Sequence, residues 1–259
     1  MTPLPRLMVA PNGARRGRVD HPALPLTVEQ VVETAAACHA AGADGLHAHV
    51  RDGSGAHVLD AGLYRELLAG MAQHVPGMAV QITTEAVGRY TAAQQRALVR
   101  ALRPAAVSIA IGEILDDGDT ADTARLFAEC AEAGTAVQHI LYSADEVAVL
   151  ARLVADGTVP RHGLQVLHVL GRYATGQLSA AADMDAPLAR ARSVGLVADW
   201  AVCAFGPQET ACLTEAARRG GKARVGFENN IYMADGRIAR DNAERVAEVA
   251  AALSLLQAS

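Results

Sequence analysis

The chain has 259 residues, of which 51% are hydrophobic and 20% are charged, and its formal net charge is −5. This much apolar material supports a large buried core, and the charge excludes the strongly basic surface that nucleic-acid binding requires. Four scattered cysteines without a C-x-x-C pair argue against a disulfide framework or a thiolate zinc site, and we expect a cytoplasmic protein because neither a signal peptide nor a membrane-length apolar run is visible.

Eight short apolar runs alternate with segments of helical period along the chain. Strand followed by helix, repeated, predicts a parallel sheet, and eight such units close most simply into a (β/α)8 TIM barrel, a single domain over residues 1–259. An open doubly wound sheet has the same alternation, but no G-x-G-x-x-G opens a helix here. The predicted strands cover residues 7–10, 44–50, 79–84, 106–112, 135–142, 164–170, 199–205 and 223–227, and the predicted helices include residues 27–41 and 91–102.

The second predicted strand ends in GLHAHVRD, which places His47 and His49 two residues apart. Side chains at i and i+2 of a strand point to the same side, so both imidazoles lie on one face near the carboxyl end. Barrel enzymes carry their chemistry at that end of the strands. At this position the two histidines are predicted metal ligands, whereas an H-x-H pair elsewhere is more often two ordinary histidines.

The eighth predicted strand supplies a third ligand in the sequence KARVGFENN. Alternation places Arg224, Gly226 and Glu228 on one face, with Glu228 at the carboxyl end. In a closed barrel only strand one separates strands eight and two, so Glu228 can reach the same metal as the histidines. Two histidines and a carboxylate with an open position form a Lewis-acid site. The alternative is that Glu228 is a loop carboxylate that pairs with a surface arginine.

Arg224 is the unusual member of this strand, because an inward arginine keeps its charge and needs an anionic partner. The simplest partner is an anionic substrate. If the strand is shifted by one residue, Arg224 faces the helices instead. Further polar residues follow the third and fourth strands and are candidates to line the mouth of the barrel: Thr83, Thr84, Glu85, Ser108 and Glu113.

Taken together, these motifs resemble those of the β-keto acid cleavage enzymes over nearly the whole chain. The resemblance implies a zinc-bearing (β/α)8 barrel, usually a homotetramer, that converts a β-keto acid and acetyl-CoA into acetoacetate and a new acyl-CoA. It rests on residues 10–16 (APNGARR), 20–25 (DHPALP), 47–52 (HAHVRD) and 81–84 (QITT), on Trp200 and Gly206, and on residues 220–230 (GGKARVGFENN) with Asn242 and Ala243 beyond.

The resemblance also implies roles for individual residues. Zinc is held by His47, His49 and Glu228. Arg224 acts with the residue at position 229 to start proton abstraction. The residues expected to contact the substrate are Asn12, Arg15, Thr83 and Ser108, and Thr83 is also counted among the catalytic residues.

Two positions depart from the family's pattern. Asn229 stands where an aspartate follows the metal-binding glutamate, and an amide can neither accept the proton nor form the charged pair with Arg224. Another carboxylate such as Glu85 or Glu113 then serves as base, or the chain runs a variant reaction or is weakly active. Arg15 stands where the aminohexanoate-cleaving enzyme has a glutamate that meets an ammonium group, which favours a neutral or acidic substrate tail.

Two rival functions stay open at this point. Metal-dependent amidohydrolases are also barrels with an H-x-H pair, and His139 and His168 fall on strands five and six as that class requires, but the pair here lies on strand two. A metal-binding barrel without catalysis is the other rival, motivated by Asn229. The remaining histidines of interest are interpreted as hydrogen-bonded residues without a functional role: His21, His57, His139 and His168.

Overall fold

Eight parallel strands close into a barrel, in the order β1 to β8, within residues 3–257, the part of the chain that the computed structural model describes. This arrangement confirms the predicted (β/α)8 TIM barrel. The strands are β1 (Leu7–Val9), β2 (Gly45–Ala48), β3 (Ala79–Thr83), β4 (Ala106–Ala110), β5 (Ala136–Leu141), β6 (Gln165–Leu170), β7 (Asp199–Ala204) and β8 (Lys222–Val225).

Helices surround the barrel. Among the described residues they are α1 (Val28–Ala40), α2 (Ala61–His74), α3 (Ala92–Leu102), α4 (Ile111–Ile114), α5 (Thr120–Ala133), α6 (Ala144–Ala155), α7 (Asp185–Ser193), α8 (Glu209–Arg218) and α9 (Asn242–Gln257). None of those helices is both long and apolar enough to span a membrane.

The element boundaries follow local chemistry that is visible in the sequence. Thr27 and Thr91 each cap a helix by accepting a hydrogen bond from the backbone of the third helical residue, which fixes the starts of α1 and α3. The predicted fourth strand, residues 106–112, was too long, because the chain turns into the short helix α4 after Ala110.

Most of the buried apolar side chains among the described residues belong to two layers. The larger one fills the space between the strands and the helices and includes Leu46, Ile82 and Val202. The smaller one fills the barrel interior, with members such as Ile140, Val169 and Cys203. Buried polar side chains share that interior, among them His47 of β2, Gln81 of β3 and Arg224 of β8.

Strand β1 is the spacer between the two strands that carry the predicted ligands. Met8 is opposite Gly45 of β2 on one side and Arg224 of β8 on the other. The carboxyl ends of β2 and β8 therefore flank the end of β1, as the sequence predicts.

Candidate metal centre

The structure brings together His47, His49 and Glu228, whose ligand atoms lie within 4.8 Å of one another. His47 projects inward from β2, and His49 is one residue beyond the end of that strand. The two Nε2 atoms are 3.2 Å apart, and each lies 3.5 Å from Oε2 of Glu228. Both histidines are 1% exposed, so these three atoms converge on one protected point.

This triangle fits a divalent metal ion. Ligand atoms on a tetrahedral zinc ion, with bonds of about 2.1 Å, lie about 3.4 Å apart. Oε2 of Glu228 is buried and has no hydrogen-bond partner among residues 3–257, although a buried carboxylate oxygen normally has one. A donor set of two imidazoles and one carboxylate is typical of catalytic zinc.

A chain of side-chain amides fixes the orientation of His47. Its Nδ1–H donates to Oε1 of Gln81 at 2.8 Å. The Gln81 amide donates in turn to Oε1 of Gln138 at 3.1 Å, and the Gln138 amide donates to the carbonyl of Val166 at 3.4 Å. Because an amide oxygen can only accept, the His47 proton must be on Nδ1, and the Nε2 lone pair faces the convergence point.

A second chain fixes His49 through His57. Nε2–H of His57 donates to the carbonyl of Glu85 at 3.0 Å, and burial lowers the pKa of His57 to about 3, so its Nδ1 carries no proton. That nitrogen lies 3.4 Å from Nδ1 of His49 and accepts the His49 proton. The Nε2 lone pair of His49 is therefore also free to bind a metal. Burial likewise lowers the pKa of His47 to about 3, which keeps this ligand neutral.

Arg224 occupies the β8 side of the centre. It points inward and is 3% exposed, which confirms the predicted strand register and excludes the helix-facing alternative. Its Nη2 donates to Oε1 of Glu228 at 3.0 Å, on the oxygen that does not face the histidines. Burial opposes ionisation of Glu228, but Arg224 and the histidines outweigh it and hold the pKa of Glu228 well below its usual value. Nε and Nη1 of Arg224 have no acceptor within the described range.

Glu228 reaches the metal position from a turn and not from the strand itself. Strand β8 ends at Val225, and Gly226 has a φ of 141°, with a backbone position where a Cβ atom would collide with the carbonyl of Ala10. The Glu228 amide then donates to that same carbonyl at 3.1 Å. A Cβ atom at Gly13 would lie 2.6 Å from Cγ of Glu228, so glycine at position 13 makes room for the ligand.

A buried ion pair supports this turn from behind. Arg245 of α9 donates to Oε2 of Glu209 at 2.7 Å, and both side chains are fully buried. Glu209 also accepts the amide of Gly226 at 3.3 Å and the side-chain amide of Asn230 at 3.4 Å. Helices α8 and α9 therefore hold the segment that presents Glu228.

Arg51 ties the β1 loop to the β2 loop. Its Nη2 donates to the carbonyls of Asn12, Gly13 and Arg16 at 3.1, 2.6 and 2.9 Å, and its Nη1 donates to the carbonyl of Gly55 at 2.9 Å. Both loops border the metal position, so one buried guanidinium sets their relative position.

A pocket opens beside the three ligands at the carboxyl ends of the strands. Of the residues predicted to contact substrate or to act in catalysis, Asn12, Arg15, Thr83 and Arg224 line it. The side chains of Asn12 and Thr83 also have structural partners, since Asn12 donates to the carbonyl of His49 at 3.0 Å and Thr83 accepts the amide of Glu85 at 3.1 Å. The other lining residues include Glu85, Glu113, Ile140, Tyr142, Val169, Arg172 and Phe205.

Two predicted site residues are not on the pocket wall. Ser108 is fully buried, two residues before the pocket-lining Ala110 on β4, so it lies one layer deeper in the barrel. Asn229 is also fully buried, and neither atom of its side-chain amide has a hydrogen-bond partner among the described residues.

The histidines of β5 and β6 face away from the metal position. The ring of His139 packs on Phe127 of α5 at 5.1 Å, and the ring of His168 packs on Trp200 at 6.1 Å. Neither belongs to the metal-ligand cluster found within residues 3–257. The additional ligands that the amidohydrolase alternative requires are therefore not brought to this site.

Sequence comparisons give three further findings. A family model described as beta-keto acid cleavage enzyme matches residues 6–259. The 3-oxoadipate:acetyl-CoA acetyltransferase of Cupriavidus necator is 31% identical over 108 residues, which cover 42% of this chain and 37% of that protein. The 3-keto-5-aminohexanoate cleavage enzyme of Fusobacterium nucleatum is 27% identical over 247 residues, which cover 92% of this chain and 86% of that one.

Solved structures with the same fold include a ternary complex of ObcA with a C4-CoA adduct and oxalate, at 18% identity and a TM-score of 0.70. The match covers 92% of this chain and 64% of the ObcA chain, so this chain spans less than two thirds of that protein. A type I 3-dehydroquinate dehydratase from Clostridium difficile matches with a TM-score of 0.63 at 10% identity, over 100% of this chain and 94% of that one. At such identities the likeness shows the fold alone.

Proposed function

Because the chain belongs to the β-keto acid cleavage enzyme family, which its residues 6–259 match, we propose that it is a zinc enzyme that converts a β-keto acid and acetyl-CoA into acetoacetate and a new acyl-CoA. Membership makes the chain an enzyme and not a metal-binding barrel without activity. The observation that carries the zinc proposal is the convergence of His47, His49 and Glu228 on one buried point. The single domain over residues 1–259, the homotetramer and the cytoplasmic location stay predictions, and residues 1, 2, 258 and 259 lie outside the described residues.

The metal position and Arg224 together suit a β-keto acid. Zinc, when bound, polarises the keto oxygen and favours loss of a proton from the neighbouring carbon. Arg224 offers two buried nitrogens, Nε and Nη1, without an acceptor within residues 3–257, and a substrate carboxylate satisfies them by charge-assisted hydrogen bonds. Ile140, Val169 and Phe205 form an apolar wall that excludes water from the reacting atoms.

We also propose an acidic substrate tail. Arg15 lines the pocket with a side chain that is 58% exposed, and its nearest carboxylate is Glu85 at 4.0 Å. Arg172 lines it too, and its guanidinium stacks 5.3 Å from the ring centre of Phe205 without an ion-pair partner in the described part of the chain. Two arginines with so little neutralisation favour a second carboxylate on the substrate. The C. necator relative is named for 3-oxoadipate, a keto acid of this kind.

The test combines metal analysis with an assay for acetoacetate made from acetyl-CoA and a panel of acidic, neutral and cationic β-keto acids. We expect about one zinc per chain in the wild type and fastest turnover with a keto diacid. His49→Ala should lose both metal and turnover, whereas His139→Ala, which removes a histidine of the outer face, should keep both. Absence of bound metal in the wild type would refute the zinc site, and a preference for cationic acids would refute the acidic tail.

A further inference from the structure

The proposed reaction needs a base that returns its proton within each turnover. The base removes a proton from the carbon between the keto and carboxylate groups, and the resulting carbanion takes the acetyl group from acetyl-CoA. The released thiolate of CoA adds to the original keto carbon. The bond between that carbon and the former carbanion carbon then breaks, which releases the new acyl-CoA and leaves the carbanion of acetoacetate. The proton then returns to the carbanion of acetoacetate, so the base is unchanged overall.

Few side chains of the pocket can accept this proton. His47 and Glu228 face the metal position, and the arginines that line the pocket keep their protons at any physiological pH. Asn229 is an amide and is absent from the pocket wall. The carboxylates that remain on the wall are those of Glu85 and Glu113.

Glu85 is the less suitable of the two. Its Oε1 lies 4.0 Å from Nε of Arg15, and its Oε2 lies 3.9 Å from Nδ1 of His49. Each oxygen of this carboxylate therefore lies near a nitrogen of another side chain, whereas a general base needs an oxygen that is free to meet the substrate proton. Its backbone carbonyl also holds His57, so the residue already has a structural task.

Glu113 follows β4 and is held through one oxygen only. Its Oε2 accepts the amide of Ala86 and the side-chain amide of Gln95, both at 2.9 Å. Among residues 3–257, no group donates a hydrogen bond to its Oε1. Within the same range, no arginine or lysine nitrogen lies within 4 Å of the carboxylate. The side chain is therefore fixed in direction while one basic oxygen stays available at the pocket.

We infer that Glu113 is the general base of this enzyme. Burial raises the pKa of Glu113 above its usual value and the charge of Glu85 acts in the same direction, while the hydrogen bonds from Ala86 and Gln95 and the charge of Arg15 oppose them. Tyr142 also lines the wall and interacts electrostatically with Glu113. A raised pKa makes the ionised carboxylate a stronger base at neutral pH. The inference rests on the proposed function.

A purely structural role for Glu113 is the alternative, because its hydrogen bonds tie the loop after β3 to the end of β4. Glu113→Gln separates the two roles, since the amide oxygen still accepts from Ala86 and Gln95 while the remaining atom becomes a nitrogen that cannot take a proton. The readout is exchange of the hydrogens between the keto and carboxylate groups for deuterium, followed by NMR without acetyl-CoA.

We expect the enzyme-catalysed exchange to fall by roughly 10²- to 10⁴-fold in Glu113→Gln, with zinc content unchanged. Glu146→Gln is the matched control, because burial also raises the pKa of Glu146 and its carboxylate also accepts a backbone amide, but it lies outside the pocket. This control should keep the wild-type rate. Retained exchange in Glu113→Gln, or its loss in Glu85→Gln alone, would overturn the inference.

A second measurement applies if Glu113→Gln does not fold. The exchange rate of the wild type should fall as pH decreases through a value above the ordinary glutamate pKa of about 4.5, because Glu113 becomes protonated there. A rate that is constant through that range would also overturn the inference. Wild-type protein that makes no acetoacetate from any keto acid would instead refute the proposed function itself.

Discussion

The two sides of the metal centre differ in how their polar atoms are satisfied. On the β2 side, each histidine nitrogen that faces away from the metal position has a partner, and the two chains end on the carbonyls of Val166 and Glu85. On the β8 side, buried atoms of Arg224, Glu228 and Asn229 have no partner among the described residues.

The β2 side is therefore ordered before the metal binds, whereas the unsatisfied atoms of Arg224 and Glu228 on the β8 side gain partners only when metal and substrate bind. The histidines are fixed in the metal-binding tautomer before any ligand arrives, so little reorganisation is needed when the metal binds. On the β8 side, Arg224 and Glu228 keep hydrogen-bonding capacity for the substrate and the metal. Unsatisfied buried groups cost free energy in the empty protein, and that cost is relieved on binding.

The largest expected effect comes from substituting the metal ligand on the β8 side. Glu228→Gln removes a metal ligand and leaves the buried Arg224 without a countercharge, so we expect metal affinity to fall by more than about 100-fold. The free energy of unfolding of the metal-free protein should fall by about 3–5 kcal/mol. Metal titration and urea unfolding measure the two effects.

Glu215→Gln is the control for this change, because Glu215 pairs with Arg219 on the surface of α8 at 2.8 Å. Its free energy of unfolding should stay close to that of the wild type, because an exposed ion pair contributes little to stability. Unchanged metal affinity in Glu228→Gln would contradict the assignment of this ligand.

Removing the hydrogen-bond partner of a histidine ligand on the β2 side should have the next largest effect. His57→Ala removes the group that holds the tautomer of His49, so metal affinity should weaken by about 10- to 100-fold while all three ligands stay in place. His57→Asn keeps an acceptor near His49 and should recover part of the loss. Competition with a chromophoric chelator measures the affinity, and equal affinities in His57→Ala and the wild type would show that His57 has no positioning role.

The third prediction concerns His139, a buried histidine on the helix-facing side of β5. Burial lowers the pKa of His139 to about 4, whereas an unfolded histidine titrates near 6.5. Between these values the unfolded chain binds more protons, so His139 by itself should lower the free energy of unfolding by about 1.4 kcal/mol per pH unit as pH decreases from 6.5 toward 4. Above pH 6.5 this contribution is fully present.

Urea unfolding of the wild type and of His139→Gln, both with a chelator present, tests this dependence. The variant should show a shallower slope of unfolding free energy against pH in that range. Parallel slopes would mean that His139 is protonated equally in the folded and unfolded chains.

The smallest expected effect concerns the rim of the pocket. Arg15→Ala removes a half-exposed cation, so kcat/KM for a keto diacid should fall by about two- to fivefold, as for an exposed ion pair. Turnover of a neutral keto acid of the same length should not change. An equal loss for both substrates would contradict a role for Arg15 in binding the tail.

Strand periodicity was sufficient to predict much of the fold and part of the site. It predicted the barrel, the inward direction of His47 and the inward direction of Arg224, because alternation along a strand is a backbone property. It also predicted that Glu228 meets the histidines, although the residue arrives from a turn whose geometry depends on Gly226 and the carbonyl of Ala10.

The role of His57 was not predicted. Its ring meets His49 because the chain reverses after β2 and pairs Arg51 with His57, and its other nitrogen meets a backbone carbonyl, which no side-chain pattern reveals. The glycines and serine between those residues were the available signal for a tight reversal. The sequence identified the amide at position 229 but not that it lies off the pocket wall.

The hydrogen bonds of Arg51 bear on how substrate preference can be re-engineered. Residues 12–16 carry Arg15, and their carbonyls are held by a side chain that starts in the loop after β2. If the loop after β1 alone were taken from a relative with another substrate preference, it would be separated from the arginine that holds its carbonyls. The transferable module is the pair of loops with its arginine, so designs that exchange both together should preserve the metal site while they change the tail that is accepted.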